Sequence, residues 1–333
     1  MKSRHTVFTG KLAATALLAG LMSSAAPVFA EDGKQVAYLS ASSANTWLSA
    51  SLVEMQKVAA ANGITITEFD AQFDPAKQTA QMQDAIASGK YSGIVLVSIS
   101  GPGAIPDVEA AIGAGIQVVF LNQVVGADLK TSDPQVEGVA ASVLAAPFRS
   151  GQREGELTVK ACEGIDACEV VFIYGIKGIP LDDALRAGFD ETIASHANIK
   201  VVAEGEGKYL GPDGGIAAIQ DILQVNDHFD VVVGADQSIQ GAAIALADAG
   251  MAGKVKLIGL GGSKPALDGI KDGSWFGGVF GAPADEGRLA MEAMVDALKT
   301  GNHQGGIDPL ETTTDQGLIT KDNVEKFTSQ WNG

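Results

Sequence analysis

The chain has 333 residues, 40 acidic side chains against 23 basic ones, and a formal net charge of −17. Such an excess of negative charge argues against nucleic acid and against anionic lipid surfaces as partners. With only two cysteines and four scattered histidines, the sequence offers no metal-ligand spacing and no cofactor motif.

The first thirty residues read as a secretory signal peptide. Lys2, Arg4 and Lys11 form a basic start, residues 12–22 a short apolar run, and Val28-Phe29-Ala30 a small-residue cleavage site. The apolar run is too short to span a membrane. Cleavage after Ala30 removes three basic residues and no acidic ones, leaving 20 basic against 40 acidic. Glu31, not Cys, then leads the chain, which offers no lipid acceptor. An exported, periplasmic protein is expected.

From residue 36 onward, short apolar runs alternate with amphipathic stretches. Strands are predicted at 36–40, 64–69, 93–98, 117–122, 170–174, 200–203, 230–235 and 256–260. Helices are predicted at 48–61, 77–88, 184–194 and 239–249. Alternation of this kind reads as βαβ units on parallel sheets, with glycines such as Gly63, Gly89, Gly115 and Gly250 punctuating the helix ends. About 300 residues exceed what one core usually supports, so two lobes are expected. The rhythm breaks at "VEGVAASVLAAPF" (136–148), where the chain crosses between lobes, and again at "WFGGVFGAPADEG" (275–287), a strand that stops in Gly281-Ala282-Pro283. Cys162 and Cys168 close a short loop and, in an oxidising compartment, are expected to form a disulfide.

In open parallel sheets, ligands bind beyond the carboxyl ends of the strands. The residues there are Asn45 and Trp47, Asn122 and Gln123, Asp182 and Asp183, Tyr209, and Asp236 and Gln237. Carboxamides, carboxylates and rings suit a neutral polyhydroxyl compound, whose hydroxyls need planar donors and acceptors and whose C–H faces need flat apolar surfaces. Each residue has a second reading. Trp47 could pack in the first turn of its helix, Asn45 could serve a turn, and Asp236 and one of Asp182 and Asp183 could cap helices.

Four stretches, "FDAQFDPAKQTAQMQDAI" (69–86), "NTW" (45–47), "GADQSIQGA" (234–242) and "GVFGAP" (278–283), resemble the type I periplasmic sugar-binding proteins of ABC transporters, the ribose-binding group most closely. The likeness spans essentially all of the chain after residue 30. It implies two Rossmann-like lobes joined by a three-strand hinge, with one lobe at 31–144 plus 282–312 and the other at 145–281 plus 313–333. The hinge would lie near residues 144–146, 281–283 and 312–314. Asn45 falls where the family has a ligand-binding Asn, and Trp47 and Tyr209 fall at its aromatic positions. Elsewhere the chain departs from the pattern. Asn122-Gln123 stands for an Asp-Arg pair, Asp183 for an Arg, Ala235 for an Asn, Gly261 for an Asp and Gly281 for a Gln.

The charged clamp for a common aldose is thus largely missing, and a buried polar ligand group without a partner costs about 1–3 kcal/mol. The expected ligand is a polyol, a modified sugar or an amino sugar, with Asp183 as the candidate partner of an amine. The expected partners are this sugar-like molecule and a membrane permease, with the protein itself a monomer. A chemoreceptor or sensor kinase is the alternative recipient of the closed form. No enzyme is expected: Asp182 and Asp183 are adjacent on a helix and do not face each other, whereas glycosidases need carboxylates flanking the bond. The acidic balance and leader also argue against a sugar-responsive repressor.

Overall fold

The computed structural model describes residues 34–333, so the leader reading of residues 1–30 lies outside the described residues. Two six-stranded sheets organise the chain. The first holds β1 (Gln35–Ser40), β2 (Thr65–Asp70), β3 (Gly93–Leu96), β4 (Gln117–Leu121), β5 (Ala141–Val143) and β11 (Gly305–Ile307), in the order β11-β5-β4-β3-β1-β2. The second holds β6 (Cys168–Tyr174), β7 (Ile199–Glu206), β8 (Val231–Ala235), β9 (Lys256–Gly261), β10 (Gly277–Phe280) and β12 (Leu318–Thr320), in the order β12-β10-β9-β8-β6-β7. Every pairing is parallel except β10 with β12.

Both faces of each sheet are covered, and strand alternation sorts the side chains accordingly. In β1, Val36 and Tyr38 join one core cluster while Ala37 and Leu39 join another. In β6, Val171 and Ile173 face one cluster, and Val170, Phe172 and Tyr174 the other. Burial on both faces explains why these strands read as continuous apolar runs. In the first lobe, α1 (Thr46–Ala61) and α9 (Pro283–Thr300) pack together on one face, with α2 (Pro75–Ser88) and α3 (Ile105–Gly113) on the other. In the second, α4 (Pro147–Ala161) packs on α5 (Pro180–Ile193), and α6 (Pro212–Leu223) on α7 (Asp236–Asp248), with α8 (Lys264–Asp272) beside it. The α4–α5 contact requires small residues: a Cβ on Gly151 would lie 1.9 Å from the Leu185 carbonyl oxygen, and one on Gly188 2.0 Å from that of Phe148.

The chain passes between the sheets three times, from β5 to α4, from β10 to α9, and from β11 to β12. Cys162 and Cys168 form the expected disulfide, with Cα atoms 5.7 Å apart, tying the end of α4 to the start of β6. Both cysteines are buried.

The "DAQFDPAKQ" stretch acquires a structural account. Asp74 caps α2, accepting from Ala76 N (2.8 Å) and Lys77 N (3.1 Å), with Pro75 following as the first helical residue. Asp70 accepts from Ser43 N (3.1 Å) and Gln72 N (2.9 Å). Gln78 is buried and grips the end of β3 from both sides, donating to Val97 O (2.8 Å) and accepting from Ile99 N (3.0 Å). These bonds fix the loops that border the cleft.

Candidate functional site

Between the carboxyl ends of the two sheets lies a cavity with about 910 Å³ of empty space, its mouth included. Asn45, Trp47, Asn122, Gln123, Tyr209 and Gln237 all line it. Asp183 and Asp236 do not.

Asn45 follows β1 and caps α1, its Oδ1 accepting from Leu48 N (2.9 Å). Its Nδ2 crosses the cleft and donates to Tyr209 O (3.0 Å). Both polar ends of this side chain are therefore engaged by protein, one in a helix cap and one in a bond between lobes. Phe73 faces Tyr209 across the same gap, with ring centroids 6.5 Å apart. Phe73 and Tyr209 each hold a left-handed backbone, at φ 58° and 56°.

Trp47 is half-buried. Its Nε1 donates to Glu286 Oε2 (3.0 Å), and its ring meets Trp331 edge to face at 5.3 Å. Trp331, near the end of the chain, is held in the second lobe by its Nε1 donating to Gly261 O (2.8 Å). These two indoles explain two departures seen in the sequence. A Cβ on Gly281 would lie 2.2 Å from Trp47 Cη2, and one on Gly261 2.5 Å from Trp331 Cζ2. Gly261 also sits at φ 147°, where a side chain is strained. Aromatic rings thus occupy space that polar side chains would otherwise fill.

Asn122 follows β4 in the left-handed region (φ 63°), which Asn tolerates better than most residues. It donates through Nδ2 to Glu286 Oε2 (3.1 Å) and accepts from Gln123 Nε2 (3.3 Å) at Oδ1. Glu286, in the first turn of α9, is 2 % exposed. Burial pushes its carboxyl up to about 8, against the lowering effect of the Trp47 and Asn122 hydrogen bonds. Gln237, at the start of α7, is buried at the opposite wall, and among the described residues no protein group bonds its carboxamide.

Two of the expected residues lie outside the cavity wall. Asp183 is exposed, and it is its neighbour Asp182 that turns inward. Pro180 opens α5, and the helical turn between adjacent positions sends Asp182 under the end of β6 and Asp183 to solvent. Asp182 accepts from Gly175 N (2.6 Å), Ile176 N (3.1 Å) and Tyr209 Oη (3.0 Å), so it braces the loop rather than capping its own helix. Burial raises its pKa to about 6 despite these bonds. Asp236 is buried but faces β9, accepting from Ser263 N (2.6 Å), and burial raises it also to about 6. A Cβ on Gly259 would meet Asp236 Oδ1 at 2.2 Å, so a glycine makes room for this orientation.

Sequence reasoning missed Glu286, Phe73 and Trp331. Glu286 lies three residues past the Pro283 break, inside α9 and beyond the strand end itself. Phe73 lies three residues past β2. Trp331 comes from an irregular tail with no strand-end signal.

A family model for the periplasmic binding protein domain matches residues 36–303, and the chain belongs to this family. It is 27 % identical over 241 residues to the D-allose-binding periplasmic protein of Escherichia coli (strain K12), covering 72 % of this chain and 75 % of that one. A galactofuranose-binding protein shares the fold, with a TM-score of 0.77 at 20 % identity over 88 % of this chain and 96 % of the other. An ABC transporter solute-binding protein from Mycobacterium smegmatis, with bound glycerol, gives a TM-score of 0.75 at 25 % identity over 90 % and 99 %.

Proposed function

We propose that this protein is the extracytoplasmic solute-binding component of an ABC importer, and that it captures a small sugar-like molecule in the cleft between its lobes. The observation that carries this reading is the cavity itself. It lies beyond the carboxyl ends of two parallel sheets, is walled by rings and aliphatic side chains, and holds a few convergent polar groups. Asn122, Gln123, Gln237 and Glu286 would bond hydroxyl or amine groups, and Trp47 and Tyr209 would cover the C–H faces.

Ligand contacts to both lobes exist only when the cleft is closed, so ligand shifts the hinge equilibrium by its differential affinity for that form. The crossings near residues 144–146, 281–283 and 312–314 would bend. The closed form would then dock on a permease after export to the periplasm. The relatives' role in binding supports a binder rather than an enzyme.

The test is a thermal-shift screen on residues 31–333, refolded to strip carried-over ligand, against pentoses, hexoses, polyols, amino sugars and amino acids. A compound at a hundred times its Kd stabilises by about 2.7 kcal/mol, a readable shift. Stabilisation by a member of the sugar-like classes is expected. Stabilisation by amino acids alone would overturn the reading.

A further inference from the structure

Glu286 uses only half of its carboxyl group within the protein. Trp47 Nε1 and Asn122 Nδ2 both donate to Oε2. Oε1 has no protein donor among the described residues, yet it is not sealed from the cavity that Glu286 lines. One carboxylate oxygen is therefore left for whatever the cavity holds.

The surroundings do not supply a counter-charge. Among the described residues no Lys, Arg or His lines the cavity. Asp308, from the third crossing, acts on Glu286, and Tyr38, from β1, feels its charge; neither is cationic, and the charge of buried Arg153, from α4, acts on Asp308. Behind the opposite wall Glu154, Asp182 and Asp236 are buried, and none forms an ion pair among the described residues. The other wall groups with spare capacity are carboxamides, above all Gln237. Aromatic faces at Trp47 and Tyr209 border this acidic space, and such faces attract cations as well as C–H groups.

We propose that Glu286 determines the specificity of the cleft, and that it selects a ligand bearing a protonated amine on a hydroxylated carbon skeleton, the ammonium donating to Oε1. This rests on the sugar-like reading above. An ammonium brings three donors, no acceptor and the missing positive charge. A neutral hydroxyl brings no charge that would let the buried carboxyl ionise, whereas an ammonium beside it favours the carboxylate and gains a charge-assisted bond. The carboxyl's upward shift without ligand agrees with a group that has no cation of its own. The amine role expected of Asp183 thus passes to a residue in the opposite lobe.

The experiment compares matched pairs that differ by one amine: D-glucosamine with D-glucose, D-galactosamine with D-galactose, 1-amino-1-deoxysorbitol with sorbitol, and 2-amino-1,3-propanediol with glycerol. Calorimetry at pH 7 is run on the wild type and on Glu286→Gln, an isosteric change whose folding is checked by its melting transition. The amine of at least one pair is expected to bind about 10- to 100-fold tighter than its alcohol, as for hydrogen bonds to charged groups, with Glu286→Gln removing that preference. Tighter binding by the alcohol in every pair that binds would overturn the proposal and leave the sugar-like reading intact. A preference for amines that survives in Glu286→Gln would overturn the role of Glu286. If wild type binds no member of any pair but binds a compound outside the sugar-like classes, both readings fall together.

Discussion

On the first-lobe side of the cleft, Glu286 keeps one carboxylate oxygen in the cavity. On the second-lobe side, Asp182 accepts from Gly175 N and Ile176 N, while Asp236 accepts from Ser263 N at Oδ2 and keeps Oδ1 sealed in the protein beside Gly259. All three are almost wholly buried, and in all three burial raises the pKa. Their partners differ in kind. Asp182 and Asp236 fasten loops at Gly175-Ile176 and Ser263, so their acidity serves the shape of the wall. Glu286 is held by two side chains that themselves line the cavity, so its acidity faces the ligand. Burial and pKa alone would not separate these roles; a place in the cavity wall does, since Glu286 lines the cavity and Asp182 and Asp236 do not.

The largest expected effect concerns Glu286 in the ligand-free protein. Below about pH 4.5 both folded and unfolded chains hold its proton, and the group has no effect on stability. As pH rises, the unfolded state ionises first, so stability falls until the folded carboxyl ionises near 8 and then levels off. At about 1.4 kcal/mol per pH unit the loss could reach roughly 4–5 kcal/mol. Half-buried Asp308, also raised, adds to the wild-type slope in the same sense. Glu286→Gln should therefore match the wild type at low pH and exceed it increasingly towards pH 8. Urea midpoints at several pH values measure this, and parallel curves would count against a buried, uncompensated carboxyl.

Asp182→Ala is expected to cost roughly 3–4 kcal/mol, because it leaves three donors without their acceptor at about 1–3 kcal/mol each, partly offset by relief of a buried charge. Denaturant unfolding at pH 7 reads this directly. Tyr209→Phe isolates one of the three bonds and should cost about 1 kcal/mol. The ring has to stay in place, since it lies on Gly175, where a Cβ would come within 1.8 Å of Tyr209 Cε2. Tyr209→Phe should thus keep ligand affinity while losing stability, and a large loss of affinity would mean that the hydroxyl belongs to the site.

The two lobes, their parallel sheets and the disulfide were legible in the sequence, since strands buried on both faces leave unbroken apolar runs and helices leave amphipathic ones. The cavity lining was legible where position alone decides it: Asn45, Trp47, Asn122 and Gln237 lie in the turns or first helical turns after β1, β4 and β8. It was not legible where a side chain has to choose a direction or where the wall comes from a distant segment. Asn45 shows the limit. It occupies the expected place, yet its carboxamide is taken by Leu48 N and Tyr209 O. The most distinctive stretch, "DAQFDPAKQ", serves mainly as scaffold, although its Phe73 reaches the cavity.

Asp183 gives the smallest expected effect and the sharpest contrast with its neighbour. Its side chain is exposed on α5, so Asp183→Asn should change stability by less than about 0.5 kcal/mol. Ligand affinity should also stay the same, since the surface charge that is removed is screened by solvent and lies outside the cavity wall. Calorimetry of Asp183→Asn beside Glu286→Gln, with one amine-bearing ligand, therefore decides between the acidic residue expected from sequence position and the one that lines the cavity. If Asp183→Asn weakened that ligand and Glu286→Gln did not, α5 would have to turn to bring Asp183 into the cleft on binding. The three bonds of Asp182 to Gly175, Ile176 and Tyr209 oppose such a turn. A rotation that carried Asp183 inward would break all three at once, and the carboxamide variant of an exposed residue would not repair them.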